Sequence, residues 1–373
     1  MTNPLPPTPL PSAPLGTSGL DITRVGLGAF AIGGSAWSYG WGVQDDDESV
    51  QTILAAVNAG VDWIDTAAVY GRGHSEAVVG AALRQLSDDE RPLVFTKGGL
   101  VWSEDDALDT GERKVGDPDS LRREVDDSLR RLGVDTIDLY QMHWPAEDGT
   151  PLEEYWSALV DLRTAGKVRA IGLSNHDVDE LTRAEAIGHV DSLQPPFSAI
   201  YRDAASDVIP WCAANGTGVI VYSPMQSGLL TGSFSAERAA ALPANDWRSR
   251  HDDFRGDGLV RNLAVADALT EIATTRGVTT AEAAIGWVLG FPGVTAAIVG
   301  ARRGGHRTDR CRIGPARPVS PVCRFAFHRS GTPPVTGGAA RGPSRGPASG
   351  TSRRRCPSSG HAPRSSTRWW RST

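Results

Sequence analysis

Eight short apolar runs, separated by stretches of helical period, constrain this chain more than any other feature. They fall at residues 25–30, 61–65, 93–97, 136–142, 168–173, 190–194, 218–222 and 295–299, and each is mostly apolar, as strands covered on both faces are. Helical patterns lie between them, among them 48–59, 75–86, 120–132 and 152–165. The last two stop at Gly133 and Gly166, which suit a helix C-terminal cap. Strand and helix alternating eight times predict an α/β fold of the (β/α)8 TIM barrel type rather than an open doubly wound sheet. No GxGxxG fingerprint follows the first strand, which counts against a dinucleotide-binding Rossmann unit.

In a barrel of parallel strands, functional side chains gather where the strands end. Trp63-Ile64-Asp65-Thr66-Ala67 carries Asp65 and leads to Tyr70, the run ending at Thr96 leads to Lys97, and the run ending at Met142 leads to His143. An acid, a phenol, an amine and an imidazole converging there suit proton transfer to a carbonyl. A carbonyl accepts hydride poorly unless its oxygen receives a proton or strong hydrogen bonds as negative charge develops. Tyr70 is the natural donor, but a phenol with a pKa of about 10 releases its proton poorly near neutrality. The Lys97 ammonium is therefore expected to lower that pKa, with Asp65 holding Lys97 charged and oriented. His143 would orient the carbonyl and share the oxyanion hydrogen bonding. Singly, each residue has a plainer reading: a cap or turn for Asp65, a packed aromatic for Tyr70, a surface amine for Lys97, a structural imidazole for His143. Four coincidences at strand ends favour the joint reading.

Composition sets the remaining limits. With 373 residues and 40% hydrophobic content, the chain can form one barrel of about 250 residues or more plus tails. Residues 1–19, rich in Pro, Ser and Thr, read as a disordered lead with no basic cluster followed by an apolar stretch. No apolar run approaches the roughly 18 residues of a membrane helix, so the expectation is a cytoplasmic protein with no membrane partner. The net charge of −6 conceals two unlike parts: residues 304–373 carry 14 Arg and a single acid, Asp309, leaving the body strongly acidic. Three of the four cysteines lie in that tail, and only Cys212 belongs to the body, so no disulfide framework is implied. His176, His189 and Cys212 have no metal-ligand spacing.

Several ordered motifs resemble the aldo-keto reductases. They are the segment from Trp63 to Gly71 followed by His74-Ser75-Glu76, then Phe95-Thr96-Lys97, Gln141-Met142-His143-Trp144-Pro145, Gly166-Lys167-Val168-Arg169, Ile171-Gly172-Leu173-Ser174-Asn175, Tyr222-Ser223-Pro224-Met225-Gln226-Ser227-Gly228-Leu229 and Ile298-Val299-Gly300-Ala301-Arg302. The resemblance runs over residues 20–303, and Gln44-Asp45-Asp46-Asp47-Glu48 is most similar to bacterial members of the branch that resembles potassium-channel β subunits. It implies NADP(H)-dependent reduction of an aldehyde or ketone, with Tyr70, Lys97, Asp65 and His143 in the roles given above. By the same resemblance Ser174, Asn175 and Gln194 would hold the nicotinamide carboxamide and Tyr222 would stack on the ring. Ser223, Gln226, Gly228 and Leu229 would wrap the pyrophosphate beside Gly300, and Arg302 would face the 2′-phosphate, where a planar guanidinium favours NADPH.

After Arg303 the sequence departs from the family, in which a final helix covers the last strand. The tail of Arg, Pro, Gly and Ser has no helical period, so residues 304–373 read as disordered, the last helix as missing or disordered, and the reading frame as slipped near codon 303. A nucleic-acid-binding arm is the less favoured reading of the tail. Two alternatives to the reductase stand: an NADP(H)-binding redox sensor or regulatory protein, and an inactive product of a frame-shifted gene. The partner expected is a small-molecule carbonyl substrate. Its identity, the direction of reaction and the oligomeric state are not legible in the sequence.

Overall fold

The computed structural model describes residues 10–34, 37, 39–103, 105–106, 112–243 and 246–301. Its centre is a closed barrel of eight strands: β3 (Val25–Gly28), β4 (Trp63–Asp65), β5 (Leu93–Gly98), β8 (Ile137–Met142), β9 (Val168–Ser174), β10 (Ser192–Gln194), β11 (Gly218–Val221) and β12 (Ala296–Gly300). Every neighbouring pair is parallel, and β12 closes the ring on β3 with Ala297 opposite Val25 and Gly300 opposite Gly28. All eight predicted strands are present, and the TIM-barrel class holds. The expected final helix and tail fall outside the described residues.

Around the barrel lie α1 (Asp46–Asn58), α2 (His74–Leu83), α3 (Pro118–Leu132), α4 (Leu152–Thr164), α5 (Val178–Glu185), α6 (Val208–Asn215), α7 (Ala236–Ala240), α8 (Gly256–Arg276) and α9 (Thr280–Leu289). α3 illustrates how the sequence specifies them. Asp117 caps its first turn by accepting from the Ser120 amide, Pro118 occupies the first helical position, and Gly133 ends it in the left-handed conformation. Leu121, Val125, Ser128 and Leu132 form the buried stripe against the barrel, while Arg122, Arg123 and Arg130 are exposed and Arg131 reaches the buried Glu76 of α2 at 2.6 Å. Beyond the predicted elements, β6 (Leu100–Val101) and β7 (Arg113–Lys114) pair antiparallel above the end of β5.

The N-terminal lead is corrected in part. Residues 10–19 are not a disordered tether: β1 (Ser12–Pro14) pairs antiparallel with β2 (Asp21–Thr23), and the turn between them plugs the start of the barrel. Leu15, Leu20 and Ile22 are buried against Trp63, Phe95 and Ile220. Composition misleads here because proline is tolerated in an edge strand, and two leucines spaced around a turn suffice to anchor it. Gly16, with φ of 56°, lies so close to the barrel that a Cβ there would be 2.3 Å from the Gly216 carbonyl oxygen. The Trp63 indole fills the barrel floor, donates to the Thr23 carbonyl at 2.8 Å, and leaves no room for a side chain at Gly26.

Candidate active site

Asp65 ends β4, Lys97 lies near the end of β5, and His143 follows β8. Tyr70 sits on the turn after β4, held down by a close approach of Gly71 to the Gly33 carbonyl that would exclude a Cβ. The four predicted residues meet. Lys97 Nζ donates to Asp65 Oδ1 at 2.7 Å, to the Thr66 carbonyl at 2.8 Å and to the Tyr70 hydroxyl at 3.2 Å. The His143 ring meets the Tyr70 ring edge-on at 5.7 Å between centroids, and its Nδ1 is buried with no hydrogen-bond partner among the described residues.

Burial governs the protonation of this group. It disfavours both charges of the Asp65–Lys97 pair, raising the acid's pKa and lowering the amine's, and the pair's mutual attraction and hydrogen bond oppose it. Burial, helped by the negative charge of Asp65, holds the Tyr70 phenol well above its ordinary pKa. Against the expectation that Lys97 lowers the phenol, burial and the Asp65 charge set its direction at rest. His143 is pushed well below its usual pKa by burial and by the Lys97 charge, so its imidazole is neutral.

The tetrad lies beneath a cavity of about 730 Å³. Asp65, Tyr70 and His143 line it, whereas Lys97 stands behind them, fully buried. Phe30, Trp37, Tyr39, Trp41 and Trp144 make one wall aromatic, with Phe30 and Trp37 packed 5.0 and 5.5 Å from the Tyr70 ring. Ser174, Asn175, Gln194, Tyr222, Ser223, Gly228 and Gly300 also line the cavity. Asn175 donates to the His143 carbonyl and to Ser174 Oγ, both at 3.0 Å, and accepts from the Tyr222 hydroxyl at 2.9 Å. Gln194 also donates to Asp65 Oδ2 at 2.8 Å, so it braces the buried carboxylate as well as facing the cavity.

Two predicted residues point elsewhere. The Gln226 side chain turns inward, accepting from Ser198 Oγ and donating to Asp253 Oδ2, both at 3.0 Å, and Leu229 packs with Phe234, Phe254 and Leu259. Their contribution is to hold the loop, in which Ser223, Gln226 and Ser227 carry positive φ, each at a cost of about 1–3 kcal/mol. Arg302 lies outside the described residues. The sequence reading missed Arg238, Arg248 and Arg250, which line the same cavity. Arg248 donates to the Ser227 carbonyl at 3.1 Å, forms a bidentate pair with Asp246, and lies 4.6 Å over the Trp41 ring. Only the length of the segment 234–257 hinted at these residues, since lone arginines in a loop carry no local pattern. The amide and hydroxyl groups of the lining fit a carboxamide, and Arg238 and Arg250 on the same lining fit phosphate groups.

Comparison with known proteins agrees with this geometry. The chain is 33% identical over 290 residues to the aldo-keto reductase YhdN of Bacillus subtilis, covering 78% of this chain and 84% of that one. It is 40% identical over 235 residues to the NADH-specific methylglyoxal reductase of Escherichia coli, covering 60% of this chain and 70% of its relative. The structure of the glycerol dehydrogenase of Gluconobacter oxydans superposes with a TM-score of 0.73 at 34% identity, over 87% of this chain and 97% of that one. The Aldo/keto reductase family model matches residues 24–314, and the chain belongs to that family.

Proposed function

We propose that the chain reduces the carbonyl of an aldehyde or ketone to an alcohol, with NADPH as hydride source and Tyr70 as proton donor. The observation that carries this reading is the Lys97 ammonium set between Asp65 and the Tyr70 hydroxyl beneath an aromatic-walled cavity. A nicotinamide nucleotide supplies the hydride when bound, because no side chain can. Tyr70 keeps its proton at rest, since burial and Asp65 disfavour the phenolate. Proton transfer to the substrate oxygen leaves a phenolate 3.2 Å from an ammonium, so the Tyr70–Lys97 contact strengthens as the reaction proceeds. His143, neutral and on the cavity wall, orients the carbonyl by hydrogen bonding.

Asn175, Ser174 and Gln194 would hold the carboxamide, Tyr222 would face the ring, and Ser223, Gly228 and Gly300 would admit the phosphate-bearing part alongside Arg248. Preference for NADPH rests on the position of Arg302 in the sequence. The name of the E. coli relative specifies NADH for that protein, so the choice of dinucleotide is a direct discriminator. Titrating the chain with each nucleotide, followed by tryptophan quenching, should give tighter binding of NADPH. Tyr70→Phe should retain that binding and lose aldehyde-dependent NADPH oxidation. Undiminished turnover in Tyr70→Phe would overturn the proton-donor role.

A further inference from the structure

We propose that His176, with Tyr155 behind it, is a positioning residue that locks Asn175 into the backbone turn by which its amide reaches the cavity. The inference rests on the reading above, in which Ser174 and Asn175 hold the nicotinamide end. Asn175 has φ of 64°, the left-handed region that side-chain-bearing residues rarely adopt. The His176 Nδ1 lies 2.8 Å from the Ser174 carbonyl oxygen, so a single hydrogen bond spans residue 175 and closes its turn. On the far side of the ring, Nε2 lies 2.9 Å from the Tyr155 hydroxyl. A carbonyl can only accept, so Nδ1 donates. With that proton placed, Nε2 of the neutral imidazole accepts from Tyr155.

The rest of the surroundings agrees. His176 is 3% exposed, and burial pushes its pKa down to about 4, which keeps it in the neutral form that both bonds require. Tyr155 is fixed within α4, where its ring packs so closely on Gly116 that a Cβ there would stand 2.9 Å away. Neither His176 nor Tyr155 lines the cavity. What the turn controls does: Asn175 links the His143 carbonyl, the Ser174 hydroxyl and the Tyr222 hydroxyl, which border the tetrad on one side and the nucleotide wall on the other.

The test separates the two ring nitrogens. In His176→Asn the amide nitrogen takes the place of Nδ1 and keeps the bond to Ser174, whereas in His176→Gln the amide reaches only the Nε2 position and keeps the bond to Tyr155. Nucleotide affinity, read by tryptophan quenching with NADPH, should stay within about threefold of the parent in His176→Asn and fall about tenfold in His176→Gln, the factor expected for one lost hydrogen bond. Melting temperatures measured without nucleotide provide the control, because a purely structural role would make affinity follow stability in both. Equal affinity in the two variants, at either level, overturns the proposal. Should His176→Gln not be recovered folded, Tyr155→Phe replaces it, with about threefold weaker binding expected and unchanged binding overturning the role. Asn175→Ala distinguishes the underlying reading: if it too binds NADPH as the parent does, the assignment of the nicotinamide end has failed, and not this inference alone.

Discussion

At the end of the barrel where the strands begin, Leu15, Leu20, Trp63, Phe95, Leu139 and Ile220 fill the interior. Where the strands finish, the same interior holds an ion pair, two glutamines and a phenol, with the Gln141 amide nitrogen unpartnered among the described residues. The distance between these two regimes is one inward-facing step. Trp63 and Asp65 alternate along β4, Phe95 and Lys97 along β5, Leu139 and Gln141 along β8, each pair two residues apart and therefore on the same face. The lower layer stabilises by burying apolar surface. The upper layer gives up part of that stabilisation to hold charge out of water, which only a rigid layer beneath it permits.

The largest expected effect breaks the upper layer. With Tyr70 in the proton-donor role proposed above, Lys97→Met should lower kcat about 10³-fold, since the phenolate left by that step would lose its counter-charge. It should also leave Asp65 with a further raised pKa, so that this variant loses stability as pH rises above the ordinary carboxylate range. Denaturation profiles at pH 5 and 8 check the sign. In the lower layer, Leu15→Ala should cost about 3 kcal/mol of stability while the kcat of the folded enzyme stays unchanged, a contrast that urea titration beside steady-state assay reads directly. A drop in kcat as large as that in Lys97→Met would erase the distinction between the two ends.

A third prediction sharpens the contrast at the rim. Glu124 of α3 accepts from the Gly99 amide at 2.8 Å and from Ser120 Oγ at 3.0 Å, and burial raises its pKa to about 7. Because the folded state retains this proton while the unfolded state releases it, the contribution to stability falls as pH rises from about 4.5 to 7 and is level above. Glu124→Gln keeps an acceptor for Gly99 and should remove that slope, a gain on the order of 2–3 kcal/mol at pH 8 over pH 5. A variant with the parent's pH profile would refute the assignment. The smallest effect concerns a helix end. Asp177 caps α5 in a reciprocal pair with Glu180, and Asp177→Ala should cost about 1 kcal/mol in thermal unfolding with catalysis intact.

The barrel and its tetrad were legible because both depend on local signals. Strands covered on both faces read as unbroken apolar runs, and parallel strands put their last residues on one rim. Asp65, Lys97 and His143 needed only those two facts, and Tyr70 follows in the turn directly after β4. The hairpin from Ser12 to Thr23 was not legible, since its proline content suggests disorder and its value comes from a plug formed with residues as distant in the chain as Ile220 and Ile298. Gln194 was read as a nucleotide contact alone, because its bond to Asp65 joins β10 to β4 across the barrel. Local sequence likewise says nothing of the burial that raises the Tyr70 phenol, to which the packed rings of Phe30 and Trp37 contribute.

The pairing of Val25 with Ala297 also dictates how the molecule is born. Of the described barrel strands a ribosome delivers β3 first and its neighbour β12 last, so the seven before β12 emerge as an open sheet with unpaired edges on β3 and β11. Among the described strands none can replace β12 in closing the ring, so the rim that gathers Asp65, Lys97 and His143 takes its final shape only after residues 296–300 have emerged. Until Ala296–Gly300 arrives, the unfinished sheet presents two unpaired strand edges of the kind that favour association with other chains.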